Sequence, residues 1–215
     1  MPVTKQPPIR PSPPETKPKK PETPSTVFSK EKAKQVVQHL QAARDALKQD
    51  GFPLAEQQVA AAQKLNPTEK YAGPIERLKL IRAYAKQFQT RFRESVSEFK
   101  PGSELRILTA TGEKICAVVE VTPQMIVLRV DGQNQRYGFN GLKPAIAIAM
   151  VHTVVKTDDS ITKVIDAAFL ATRKNPTSRE RMLAQELFKQ ARSLGADIGM
   201  LELFLQDDYE RLINP

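Results

Sequence analysis

Four cations on one helical face are the residues in this chain whose type and spacing come closest to a chemistry. Lys79, Arg82, Lys86 and Arg93 fall, at about 100° per residue, in a row beside an apolar stripe of Leu78, Ile81, Ala85, Phe88, Phe92 and Val96. Ammonium and guanidinium groups aligned in this way read as a face that tracks phosphates. Tyr84 stands near the row, and Glu76, Glu94 and Glu98 lie further round. The same row also serves a solvated flank, in which long aliphatic stems cover the edge of a core while their heads stay in water.

Other reactive residue types are sparse. Cys116 is the single cysteine, so the chain has no internal disulfide and no cysteine set for zinc. An isolated cysteine in an alternating strand reads as a small packed residue rather than a nucleophile. His39 lies beside an apolar helical stripe and His152 ends an apolar helix, far from each other in sequence, and both read as structural. Asp207-Asp208 could suggest a metal pair, but their place at a helix start reads as an N-cap. Gly112-Glu113-Lys114 lacks the glycine spacing and the following Ser or Thr of a phosphate loop. No G-x-S-x-G elbow, H-E-x-x-H pair or Cys-x-x-Cys set occurs. The sequence therefore names no catalytic residue, metal ligand or cofactor, and a site assembled from distant residues stays open.

The 215 residues suit one large domain or two small ones. The net charge of +9 is unevenly placed: residues 1–102 hold 19 basic and 10 acidic groups, residues 103–215 hold 14 and 14. A basic half of this kind points to polyanions as possible partners. No apolar run reaches the ~18 residues of a membrane span, and the N-terminus has no hydrophobic region of a secretory signal. The default expectation is a cytoplasmic location. Nine prolines fall in the first 24 positions, and residues 1–28 are expected to form a disordered tail with polyproline II character. Within it Lys5, Pro8 and Pro11 match the spacing of an SH3-groove ligand, though a linker or solubilising tail explains the composition as well.

The elements that position these residues follow from periodicity. Residues 29–102 read as helical. Ser29 opens a helix with Ala33, Val36, Val37, Leu40, Ala43 and Leu47 on one face, and Asp50-Gly51 stops it. Phe52-Pro53 opens a second helix bearing Leu54, Ala55, Val59, Ala62 and Leu65, which Asn66-Pro67 closes. The turn Gly51-Phe52, the small residues Ala55 and Ala62 and the closing Pro67 resemble a tetratricopeptide repeat over about residues 33–67. A long helix from about Ile75 to Phe99 then carries the basic row. The first helix departs from the repeat by lacking its large aromatic and glycine.

Residues 103–143 alternate with period two and are punctuated by Thr111-Gly112, Pro123 and Asp131-Gly132, which predicts a four-stranded antiparallel sheet. Its pattern is similar to a small SH3-like or Sm-like barrel. Leu105, Ile107, Ile115, Ala117, Val119, Val121, Ile126, Leu128 and Val130 mark the apolar alternation, with Tyr137 and Phe139 in the last strand. Cys116, Val118, Met125 and Val127 fall on the opposite face, which a flanking helix should cover. Residues 144–215 read as helical, with caps at Asp158-Asp159-Ser160 and Ser178 and short helices closing the chain. The fold class is thus α+β, with helical hairpins flanking a small four-stranded sheet or SH3-like barrel, and residues 29–215 form one compact unit. The leading function is a non-catalytic protein-binding or scaffolding module whose partner is another protein or peptide. Nucleic-acid or polyanion binding through Lys79, Arg82, Lys86 and Arg93 is the alternative, ahead of an enzyme with a dispersed site.

Overall fold

The computed structural model describes residues 28–109, 112–155 and 159–213, with side chains throughout except at Leu108, Thr109 and Asn140. Among these residues are six α-helices and one four-stranded antiparallel sheet, an α+β fold. No helix among them is long and apolar enough to cross a membrane. The Pro-rich tail lies outside the described residues, except that Phe28 packs at a tilt on Tyr71, ring centroids 5.6 Å apart.

Helix α1 (Lys30–Leu47) begins where Ser29 accepts a bond from the Lys32 amide at 3.2 Å, with Glu31 in the first turn. Its buried face is the predicted one. Asp50 takes the left-handed conformation, φ +55°. At Gly51 a side chain would place Cβ 3.1 Å from the Ala46 carbonyl oxygen, so glycine fits the tight turn. Helix α2 (Phe52–Lys64) opens with Pro53 in its first turn and buries Ala55, Val59 and Ala62.

Helix α3 (Ala72–Glu98) passes through two apolar clusters. Its first half gives Ile75, Leu78, Ile81 and Ala85 to a cluster with α1, α2 and the C-terminal segment. Its second half gives Phe88 and Phe92 to a cluster with the sheet and α4 (Pro144–Val154). Helix α5 (Ser160–Ala171) is divided in the same way: Val164, Ala167 and Ala168 face the first cluster, Ile165, Phe169 and Leu170 the second. The Phe88 and Phe169 rings stack with centroids 3.8 Å apart, so α3 and α5 form a spine common to both clusters.

The strands β1 (Glu104–Thr109), β2 (Gly112–Val121), β3 (Met125–Val130) and β4 (Gln133–Gly138) pair in the order β1-β2-β3-β4. The sheet is open, with edges at β1 and β4, and no pairing among the described residues closes it into a barrel. Asp131 and Gly132 both have positive φ, +49° and +81°, as a two-residue type I′ hairpin requires.

One expectation about this sheet is overturned. Cys116 and Val118 are buried with Leu105, Ile107, Ile126 and Leu128 on the helix-facing side, whereas Ile115 is 60 % exposed. The register shifts between Val118 and Glu120, where a bulge inserts one extra residue. Inward positions are therefore even-numbered before the bulge and odd-numbered after it, where Val121 opposite Ile126 packs on the core. A single alternation read along β2 assigns its first half to the wrong face.

Two caps also differ from expectation. Helix α6 (Ser178–Ser193) is capped by Thr177, not Ser178, through a reciprocal box. The Glu180 amide donates to Thr177 Oγ1 at 3.2 Å, and the Thr177 amide donates to Glu180 Oε2 at 2.7 Å. Asp208 does cap the short turn at Tyr209–Leu212, but Asp207 instead binds the Arg77 guanidinium of α3. Arg44 reaches the same segment, donating to the carbonyls of Asp207 at 2.5 Å and Phe204 at 3.1 Å. The C-terminal segment is thereby fastened across α1 and α3.

Candidate functional site

Where α4 ceases to cover the sheet, the inward face continues into a groove of about 620 Å³. Ile107 of β1, Cys116 of β2, Val130 of β3 and Tyr137 of β4 line one side. The first turn of α4, Leu170 of α5 and the start of α6 with Leu183 line the other. Its size suits a small ligand or a few side chains of a peptide. Leu183 remains 44 % exposed, so one wall offers apolar surface to whatever enters.

The polar groups of the groove divide into satisfied and unsatisfied sets. Lys114 is paired with Asp131 at 2.8 Å, and that carboxylate raises the ammonium above its ordinary range. The Tyr137 hydroxyl donates to Gln135 Oε1, and burial pushes the phenol up. Cys116 is only 1 % exposed, and burial likewise pushes its thiol up, away from the thiolate a nucleophile needs. Glu180 is committed to the α6 cap. Lys143 and Arg179 line the groove, are exposed, and meet no carboxylate among the described residues.

Their placement is electrostatically unfavourable. Lys143 is the N-cap residue of α4, and Arg179 lies in the first turn of α6. The positive end of a helix dipole disfavours a cation there by about 0.3–1 kcal/mol. Residues that break a local rule without an internal partner are candidates for a functional role. The sequence carried this signal, because each cation directly borders a helix-start motif, Lys143-Pro144 and Thr177-x-x-Glu180. Neither cation marks a site by sequence alone, since the groove itself depends on elements far apart in the chain.

The predicted basic row is divided by the fold. Lys79 turns to Glu76 at 3.5 Å and does not line the cavity that its three neighbours in the row share. Arg82 donates to Glu56 of α2 at 2.8 Å, and its Nε is buried without a hydrogen-bond partner. Lys86 and Arg93 remain exposed without a carboxylate partner among the described residues. Arg82, Lys86 and Arg93 share a cavity of about 280 Å³ beside the α1–α2 turn.

The two histidines join helices. His39 Nδ1 lies 2.7 Å from Gln58 Oε1, linking α1 to α2. His152 Nε2 lies 2.6 Å from Asp166 Oδ2, linking α4 to α5. Asp166 is 2 % exposed, and burial raises its carboxyl above the ordinary range despite the lowering effect of His152.

Comparison with protein-family models, curated proteins and solved structures finds no match to this chain. The site must be interpreted from its own geometry.

Proposed function

We propose that the protein is a non-catalytic binding module that holds an extended segment of a partner protein beside β4. The observation that carries this reading is the continuity between an open sheet edge and an apolar groove. Among the described residues strand β4 pairs only with β3, and its Gln135 and Tyr137 also line the groove. An extended segment added to such an edge gains main-chain hydrogen bonds, while every second side chain points toward one face of the sheet. Here those side chains would lie beside Gln135 and Tyr137, at the β4 end of the groove.

Charge complementarity narrows the partner. Lys143 and Arg179 call for a segment carrying a carboxylate close to its apolar residues, and that carboxylate would gain from the same helix N-termini that disfavour the two cations. In this reading the tetratricopeptide-like hairpin α1–α2 supports the fold, since Ala55 and Ala62 are buried.

A library of random peptides displayed to the full chain tests the proposal. The expected selection is for alternating apolar residues with an acidic neighbour. Leu183→Arg, at a half-exposed position, should lower binding of the selected peptides by about tenfold or more, and Lys143→Glu should weaken them several-fold. Absence of any selected pattern, or full binding by Leu183→Arg, would overturn the reading.

A further inference from the structure

The cavity that holds Arg82, Lys86 and Arg93 adjoins a second concavity that the sequence row does not include. The second, of about 460 Å³, is lined by Lys48 of the α1–α2 turn and by Arg173 and Lys174, which follow α5. The two share Asp50 and Gln89 in their linings, so they lie side by side around the α1–α2 turn and together make a cationic trough with the Gln89–Asp50 pair at its middle. Cations from residues 48, 86, 93, 173 and 174 are thus gathered from segments distant in sequence, which a single helical row could not reveal.

The charge balance in the trough is uneven. Lys48 is paired with Asp45 at 2.8 Å, and Arg82 with Glu56 at 2.8 Å. Asp50 already accepts from Gln89 Nε2 at 3.1 Å. Lys86, Arg93 and Lys174 meet no acid among the described residues, and Arg173 lies over the Phe169 ring, 5.6 Å from its centroid. Four cations therefore face one carboxylate without an ion pair, Asp50, in a trough whose remaining lining mixes Gln49, Gln89, Thr90 and Thr172 with Phe52, Pro53 and Phe169. A partner held there gains from charge and hydrogen bonding more than from apolar burial, which separates this trough from the groove beside β4.

We infer that this trough binds a single strand of nucleic acid along its phosphate backbone. Charge complementarity favours a polyanion, and a row of cations in a trough follows one backbone as single-strand-binding surfaces do. Gln49, Gln89 and Thr90 line the same trough and supply neutral hydrogen-bonding groups for sugar or phosphate oxygens. The inference does not depend on the peptide reading, because it uses different residues.

The test is fluorescence anisotropy of the full chain with a labelled oligo-uridylate of roughly 20 nucleotides. About four phosphate contacts predict a slope of roughly −3 in log affinity against log salt, or about a 50-fold loss between 50 and 200 mM salt. Lys86→Glu and Lys174→Glu should each weaken binding by about tenfold, while Lys79→Glu, with the same change in net charge, should have little effect. That contrast separates a built trough from attraction by overall charge, and the basic N-terminal residues are common to all variants. Equal weakening by Lys79→Glu, no binding at the lower salt, or equal displacement by polyglutamate would each overturn the inference. The last outcome would assign the trough to an acidic protein segment.

Discussion

The two sides of the α3–α5 spine are finished differently. On the side of α1 and α2, the C-terminal segment is fastened by charge: Arg77 grips Asp207 with both partners only about a tenth exposed, and Arg44 binds two carbonyls while lying 5.0 Å over the Phe204 ring. Tyr71 adds a bond to the Leu212 carbonyl at 3.0 Å. On the sheet side the apolar face is covered by α4 for part of its length and then opens into the groove. Buried carboxylates follow the same division. Asp207 receives two guanidinium bonds, whereas Asp166 is bonded through one oxygen and its Oδ1 has no hydrogen-bond partner. One side uses its polar groups to close an interface, and the other leaves surface for a partner.

The comparison is tested most severely at the spine. Phe169→Ala removes a stacked ring, and the expected cost is about 3–5 kcal/mol by urea denaturation. Because α3 and α5 serve both clusters, the variant should still unfold in one transition by near- and far-ultraviolet dichroism. Two separated transitions would show that the halves are independent, and the common spine would lose its meaning. The next effect is at the closed side. Asp207→Ala leaves the Arg77 charge largely buried and should cost about 3 kcal/mol. Arg211→Ala removes the exposed pair with Asp208, whose arginine side chain is 86 % exposed, and should change stability by less than about 1 kcal/mol. Equal losses in these two variants would refute the view that the clamp is a buried, satisfied pair.

The difference between the sides also decided what the sequence disclosed. Helical faces such as Ala33, Val36, Val37 and Leu40 are legible because a local period of 3.6 matches burial directly. The Asp131-Gly132 hairpin is legible for a similar reason, since both residues accept the positive φ of the turn. Strand β2 was not, because the bulge after Val118 reverses its parity and nothing local to the strand marks the event. The open edge at β4 likewise depends on which strands pair, not on composition. Lys79, Arg82, Lys86 and Arg93 all lie on α3, where Lys79 pairs locally with Glu76, but the pairing of Arg82 is set by Glu56 and the approach of α2. Lys174 and Arg179 could not be assigned to different surfaces without the turn between α5 and α6. Periodicity describes a segment's faces, while sites here arise from the junctions between segments.

The smallest expected effect is a dependence on pH, and it distinguishes the two buried carboxylates. Asp166 of α5 faces His152 of α4 and Arg91 of α3, with Lys163 on its own helix. Burial dominates these favourable charges, so its carboxyl titrates above the ordinary value of 3.8 in the folded protein. Between the two values the folded state binds more protons than the unfolded state, and stability must fall as pH rises. Asp166→Asn cannot ionise and should lack this slope while its amide oxygen can still accept a bond from His152. The measurement is the difference between wild type and variant in urea denaturation, taken from below pH 4 upward, because subtraction removes the titration of the other carboxylates. Wild type should lose stability relative to Asp166→Asn as pH rises through this range. A relative gain would mean that His152 and Arg91 outweigh burial, which would make Asp166 a satisfied charge like Asp207 and remove the contrast between the two sides.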